Sequence, residues 1–239
     1  MLSKFLAKKI TNYNNPRSIA SKFRAKRFSA VKKMIDDVFK EKGQVKIIDV
    51  GGTHLYWQIV PKSYLEEKKV TIVIVNLEGT STQENDSIFT FIPGDACNLN
   101  EFQDHSFDIA HSNSVIEHVG DWSRMLQMAE EISRVAKRHF VQTPNFWFPL
   151  EPHCMTFFFH YFPKPIRIWM VCHFSLGHWE KGKSIKDAVF IVESARLLTR
   201  KMMQALFPDH QIMIERFLGL PKSIMAIKNT TKPSSSTFK

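Results

Sequence analysis

The hydrophobic positions of this chain fall into short runs that end on polar or glycine residues, with stretches of helical spacing between them. The first run, Val45-Lys46-Ile47-Ile48-Asp49-Val50, passes directly into Gly51-Gly52-Thr53. Such a run predicts a buried parallel strand, and the glycines predict a tight turn at its carboxyl end. A missing Cβ permits positive φ there and lets a ligand approach the backbone amides. Further strands are predicted over 70–78, 88–92, 106–111 and 138–142, each opening into polar residues. A short helix broken by Pro61 follows the glycines, and 125–136 has helical periodicity. Strands alternating with helices predict parallel βαβ units in a doubly wound α/β sheet.

Near the end of the chain, 199–207 reads as a helix with Thr199 as cap and Pro208 as stop. Gln211–Phe217 and 223–228 are two further strands, separated only by Gly219-Leu220-Pro221-Lys222. So short a link forbids a helical crossover and predicts an antiparallel closing hairpin, for seven strands in all. At the other end, Ile19, Phe23, Val31, Ile35 and Phe39 recur at multiples of four. With Ser18 as cap and Gly43 as stop, they predict a basic amphipathic helix packed on the sheet with one solvated face. The sharper alternative is contact with anionic lipid or RNA. The predicted organisation is a basic helical arm over 1–43, a domain over 44–228 with an insert at 146–182, and a disordered polar tail over 229–239.

Charge sharpens the picture of the arm. Residues 1–46 hold 13 Lys and Arg against three acids, and the rest of the 239-residue chain holds 20 of each, so the net +10 lies entirely in residues 1–46, nearly all of it in the arm. An anionic membrane surface contacted through residues 1–42 is the preferred partner, with nucleic acid unlikely. Met1–Ile10 lacks the uninterrupted apolar core of a signal peptide, and three scattered cysteines suit a reducing cytoplasm. Attachment to the inner face of a membrane is then peripheral. Cys172-His173 and His178 lack the paired spacing of a metal site.

Four segments, in order, carry a family resemblance: Ile47-Ile48-Asp49-Val50-Gly51-Gly52, Val75-Asn76-Leu77-Glu78, Gly94-Asp95-Ala96, and the run from Phe107 through Ser112-Asn113-Ser114 to Glu117-His118-Val119. Together they resemble the class I S-adenosylmethionine-dependent methyltransferases of the small-molecule type, over roughly 44–145. The resemblance implies the Rossmann-like methyltransferase fold and S-adenosyl-L-methionine as cofactor. It puts Asp49, Gly51 and Gly52 in the loop under the methionine part. Asn76 falls where the family usually has a ribose-binding acid, and Glu78 is expected to supply the missing carboxylate. Asp95, with Ala96 beside the ring, is expected to accept from the adenine amine, and Ser112 and Asn113 to meet the methionine end.

Two departures qualify the resemblance. The family loop reads Gly-x-Gly-x-Gly, whereas here Gly51-Gly52-Thr53-His54-Leu55 lacks the later glycines. Some quinone-pathway methylases carry Glu-x-x-Glu-His as metal ligands after the fourth strand; Ser114 replaces the first acid here, so no metal is expected. A nicotinamide-dependent dehydrogenase is disfavoured, because its phosphate loop needs Gly-x-Gly-x-x-Gly.

Methyl transfer needs a base only when the acceptor is a hydroxyl or a similarly weak acid. His153, His118 and Glu151 are the catalytic candidates, with His153 first because it follows the fifth strand, where the family builds its acceptor pocket. The insert at 146–182 contains eleven Phe, Tyr and Trp residues and no acid between Pro152 and Trp179. Pro163 and Pro165 divide it into stretches too short to span a bilayer. It is expected to cap the acceptor site and select a hydrophobic or lipid-linked substrate; the family resemblance implies a small or lipid-linked acceptor, with surface polysaccharide or lipid assembly as a setting. The alternatives are an ordinary packing insert, a non-catalytic methyltransferase-like module, and an RNA methyltransferase that binds through the arm.

Overall fold

The computed structural model describes residues 19–79 and 85–229. The predicted cap Ser18, the first part of the arm and residues 230–239 of the tail lie outside that range. Helix α1 (Ile19–Lys42) precedes strand β1 (Val45–Val50), two short helices α2 (His54–Trp57) and α3 (Lys62–Glu67), and β2 (Val70–Asn76). Then come β3 (Phe89–Pro93), β4 (Phe107–Asn113), α4 (Trp122–Val135) and β5 (Ala136–Pro144). After the insert, α7 (Arg200–Leu206) leads to β8 (Gln211–Phe217) and β9 (Leu220–Lys228).

Seven strands form one sheet in the order β3-β2-β1-β4-β5-β9-β8. The first five are parallel, while β9 pairs antiparallel with both β5 and β8. The predicted hairpin is thus present, and its turn is tighter than expected, because β9 begins at Leu220. Strand order reverses between β1 and β4, and ligands of open α/β sheets bind outside the carboxyl ends at that switch.

Alternate strand residues serve opposite faces. Ile47, Ile72, Ile74 and Ile109 pack with α1, α2 and α3; Ile48, Val50, Val75 and Ala110 pack with α4 and α7. Helix α1 buries Phe28, Val31, Met34, Ile35 and Val38 on the sheet. The stripe alternates three- and four-residue steps because a helix turns every ~3.6 residues; a strict step of four drifts off the face and leaves Phe23 and Phe39 half-buried. Gly43, at φ 70°, closes α1 by donating its N–H to Phe39 O.

The insert begins with a small hairpin, β6 (Leu150–Glu151) and β7 (Thr156–Phe157), and continues as α5 (Lys164–His173). A helix absent from the sequence reading, α6 (Ile185–Glu193), packs against α5. Cys154, Phe159, Val171, Ala188 and Val192 form a separate small core there. Among the described residues, no helix is long and apolar enough to cross a membrane.

Candidate active site

The loop after β1 is held from both sides. Gly51 sits at φ +72° with its N–H on Val75 O, and a Cβ there would collide with Val115. A Cβ on Gly52 would lie 1.9 Å from Asp49 Oδ2. Asp49 is fully buried behind the loop, accepting from Trp57 Nε1 at 2.7 Å and His111 Nδ1 at 2.6 Å. Its carboxylate braces the turn and does not line the adjacent cavity. On the other side, Asn76 Nδ2 donates to the carbonyls of Gly51 (3.3 Å) and Gly52 (3.0 Å).

These elements line one wall of a cavity of about 280 Å³. Asn76, Leu77, Asp95, Ala96, Ser114 and His118 contribute to it. Glu78, expected at the ribose, instead stands exposed two residues beyond the strand and is absent from the lining. Ser112 is also withdrawn: it is fully buried, and its hydroxyl donates to Val50 O. Asn113, beside it, keeps a buried Oδ1 with no partner among the described residues.

Asp95 is engaged before any ligand arrives. Arg124 Nη2 contacts both carboxylate oxygens, at 3.0 and 2.8 Å, and Cys97 N–H donates to Oδ1. Burial opposes the charge on Asp95, but the Cys97 N–H and Arg124 outweigh it and hold the carboxyl below its usual range. Arg124 lies in the first turn of α4, where Asp121 caps by accepting from Arg124 N. Sequence reasoning missed this cation, and its only signal was the acid-capped helix start.

At the opposite end of the cavity, Ser114 adopts φ +59° and turns its hydroxyl to Gln142 Oε1. The chain then forms one 3-10 turn, Ile116–His118. Glu117 is 1% exposed; Thr143 donates to its Oε2, while its Oε1 has no partner among the described residues. Burial pushes the Glu117 carboxyl upward against the opposing pull of His118. His118 Nδ1 meets Ser194 O at 2.8 Å, and its ring stands edge-on to His153 at 4.7 Å. His153 Nδ1 meets Glu151 Oε1 at 2.6 Å, and the N–H groups of His153 and Cys154 donate to Glu151 Oε2. Burial disfavours charge on both partners, yet their mutual attraction raises the His153 pKa and lowers that of Glu151.

The three candidate catalytic residues therefore meet, joined by Glu117, which the sequence motif contained but the reading left without a role. His118 lines the first cavity, and Glu151 lines a second of about 350 Å³ with Phe146, Phe159, His160 and Trp179 from the insert. The contacts from His118 through His153 to Glu151 link the two linings.

Residues 56–139 match the family model described as a methyltransferase domain. No curated protein sequence matches the chain significantly. Among solved structures, a SAM dependent methyltransferase from Archaeoglobus fulgidus aligns at 13% identity and TM-score 0.49, covering 84% of this chain and 94% of that one. The PH0226 protein from Pyrococcus horikoshii OT3 aligns at 15% identity and TM-score 0.48, covering 92% and 94%. An O-methyltransferase family protein from Burkholderia thailandensis aligns at 12% identity and TM-score 0.47, covering 91% of this chain and 62% of that one. The chain spans about three-fifths of that protein's length.

Proposed function

We propose that this chain, a class I S-adenosylmethionine-dependent methyltransferase, methylates a hydroxyl on a small or lipid-linked acceptor in surface polysaccharide or lipid assembly. The observation that carries this reading is the His153–Glu151 hydrogen bond beside His118, at the seam of the two cavities. S-adenosylmethionine, when bound, supplies a methyl group on a positively charged sulfur.

The first cavity fits that cofactor. Gly51 and Gly52 leave the loop bare, and Asp95 on the lining offers a carboxylate to an exocyclic amine. Asn76, lining the cavity, replaces Glu78 as the residue nearest the ribose in this proposal. The remaining work of the protein is orientation and exclusion of water. His153, its Nδ1–H tied to Glu151, accepts the acceptor's hydroxyl proton; the carboxylate strengthens it as a base.

The insert supports an amphiphilic acceptor. Phe159 and Trp179 face inward at the second cavity, while Trp147, Phe157, Phe158 and Trp169 are more than half exposed. Exposed rings beside Lys164 and Arg167 suit a membrane interface. In this proposal the domain spans 44–228, the insert caps it, and the arm over 1–42 adds electrostatic attachment to an anionic leaflet. Part of the arm's charge is already committed, since Arg27 pairs with Glu215 on β8.

The test is transfer of labelled methyl from S-adenosylmethionine to fractionated lipid-linked saccharides. Label in an ether-stable product is expected, with the His153→Ala rate lower by ~10²-fold or more and cofactor affinity retained. Label confined to RNA or protein fractions would overturn the acceptor class.

A further inference from the structure

We propose that Glu117, His118 and His153 form the donor set of a divalent-cation site, of the first-row transition type represented by Zn²⁺. One ligand atom from each lies within 4.8 Å of the others. Bonds of ~2.0–2.2 Å to nitrogen and carboxylate oxygen need only a small inward side-chain adjustment from that spacing.

Both rings are already set for coordination. The Ser194 carbonyl can only accept, so His118 carries its proton on Nδ1. Glu151 fixes the His153 proton on Nδ1 in the same way. With Nδ1 so engaged, Nε2 is the nitrogen each ring has left for a cation. A second oxygen partner holding the far nitrogen of a ligating histidine is the usual outer arrangement of a metal site, and it fixes both tautomer and ring orientation.

Glu117 is the independent observation. Its side chain is 1% exposed, and Oε1 has no hydrogen-bond donor among the described residues. A buried carboxylate oxygen without a partner is costly, and buried charges are paired or coordinate metals. Two imidazoles and one carboxylate suit a borderline cation better than Mg²⁺ or Ca²⁺, which prefer all-oxygen shells. Three protein donors also leave a position open.

The sequence motif disfavoured a metal because Ser114 replaces an acid. The fold answers by turning the Ser114 hydroxyl to Gln142 and bringing His153 in from the insert. The site stands independently of methyl transfer, whereas its role rests on that reading. Between the two cavities, a bound cation would hold the acceptor hydroxyl and raise its acidity, so that its proton leaves to solvent. With the cation bound, this replaces the base role given to His153 above, because its lone pair is committed to the cation rather than to the proton.

The full chain, stripped with chelator, is titrated with Zn²⁺ by calorimetry, and metal content is measured after gel filtration. One equivalent is expected, with affinity falling at least tenfold in His118→Ala, in His153→Ala and in Glu117→Gln. His173→Ala, outside the cluster, should leave binding unchanged. Visible absorption of the Co²⁺-loaded protein, lost in His153→Ala, gives a second readout if Glu117→Gln fails to fold. No binding, or binding indifferent to both histidine changes, overturns the site. Methyl transfer by metal-free protein also overturns its role while leaving the methyltransferase reading intact; absent S-adenosylmethionine binding would sink that reading alone.

Discussion

Asn76 Nδ2 donates to the carbonyl of Gly52 at 3.0 Å and also reaches the carbonyl of Gly51. An amide is required here because both partners are acceptors; a carboxylate would face two carbonyl oxygens with no proton to share. The contact links the end of β2 to the loop after β1 and helps to hold a turn that lacks its later glycines. Asn76→Asp should weaken S-adenosylmethionine binding by about 1–3 kcal/mol, or roughly ten- to a hundredfold, with the fold retained. Glu78→Gln, at an exposed position, should change nothing. Calorimetry on the two variants checks both outcomes, and the reverse ranking would restore Glu78 to the ribose.

Gly52 has no room for a methyl group. Its Cβ would meet a carboxylate that Trp57 and His111 prevent from retreating. Gly52→Ala should destabilise the protein by about 1–3 kcal/mol in urea unfolding, as overpacking does. The contrasting variant is Gly79→Ala, which meets nothing within 4 Å and bears only the strain of its φ of +79°.

Arg124 organises Asp95 without adding much stability, because both side chains are about two-fifths exposed. Arg124→Ala should leave the melting temperature nearly unchanged while reducing cofactor affinity severalfold. A large fall in melting temperature with unchanged affinity would show that the pair is structural.

Acid should weaken the fold through His139 and His210. His139 Nε2 meets Ala136 O, so its proton lies there and Nδ1 must accept from His210 Nε2–H at 2.8 Å. Both rings are therefore neutral, and burial lowers their pKa values to about 4 and about 3. Unfolded histidine titrates near 6.5, so below that pH the unfolded chain binds protons that the folded chain refuses. Stability should be full well above pH 6.5 and fall as pH drops toward 4, by roughly 3–6 kcal/mol for the two rings together. His210→Gln, which keeps a donor for His139, should flatten that slope in pH-dependent denaturation.

Adjacent rings in the insert should separate binding from folding. Phe158 is 52% exposed at φ +61°, while Phe159 is 1% exposed in the small core. Phe157→Ser with Phe158→Ser should preserve thermal stability and reduce use of an amphiphilic acceptor. Phe159→Ser should instead lower the melting temperature by several degrees, as core truncations do.

The sheet was legible because buried parallel strands read as continuous apolar runs bounded by turn residues, and the short link before Lys222 left one connection possible. Helix α6 was not. Apart from the exposed Ile185, its apolar residues form an unbroken run from Ala188 to Val192, and only Ala188 and Val192 are buried while Phe190 is 77% exposed, so the run itself marks no inner face. Its one clear signal was Ser184, which caps by accepting from Asp187 N. The motif contained Gly51, Asn76, Asp95 and Ala96, which line the first cavity, whereas the partners that brace the site were not legible. Asp49 with His111 and Asp95 with Arg124 pair across 62 and 29 positions, a separation that no local pattern records.

The hairpin at the end of the described chain has a consequence for synthesis. Strand β9 lies inside the sheet, between β5 and β8, so β5 keeps an unpaired edge until residues 220–228 have left the ribosome. A nascent chain halted at residue 217 would carry all five parallel strands and still expose that edge, a template for pairing with another chain. Late truncation should therefore yield aggregates rather than a smaller folded protein.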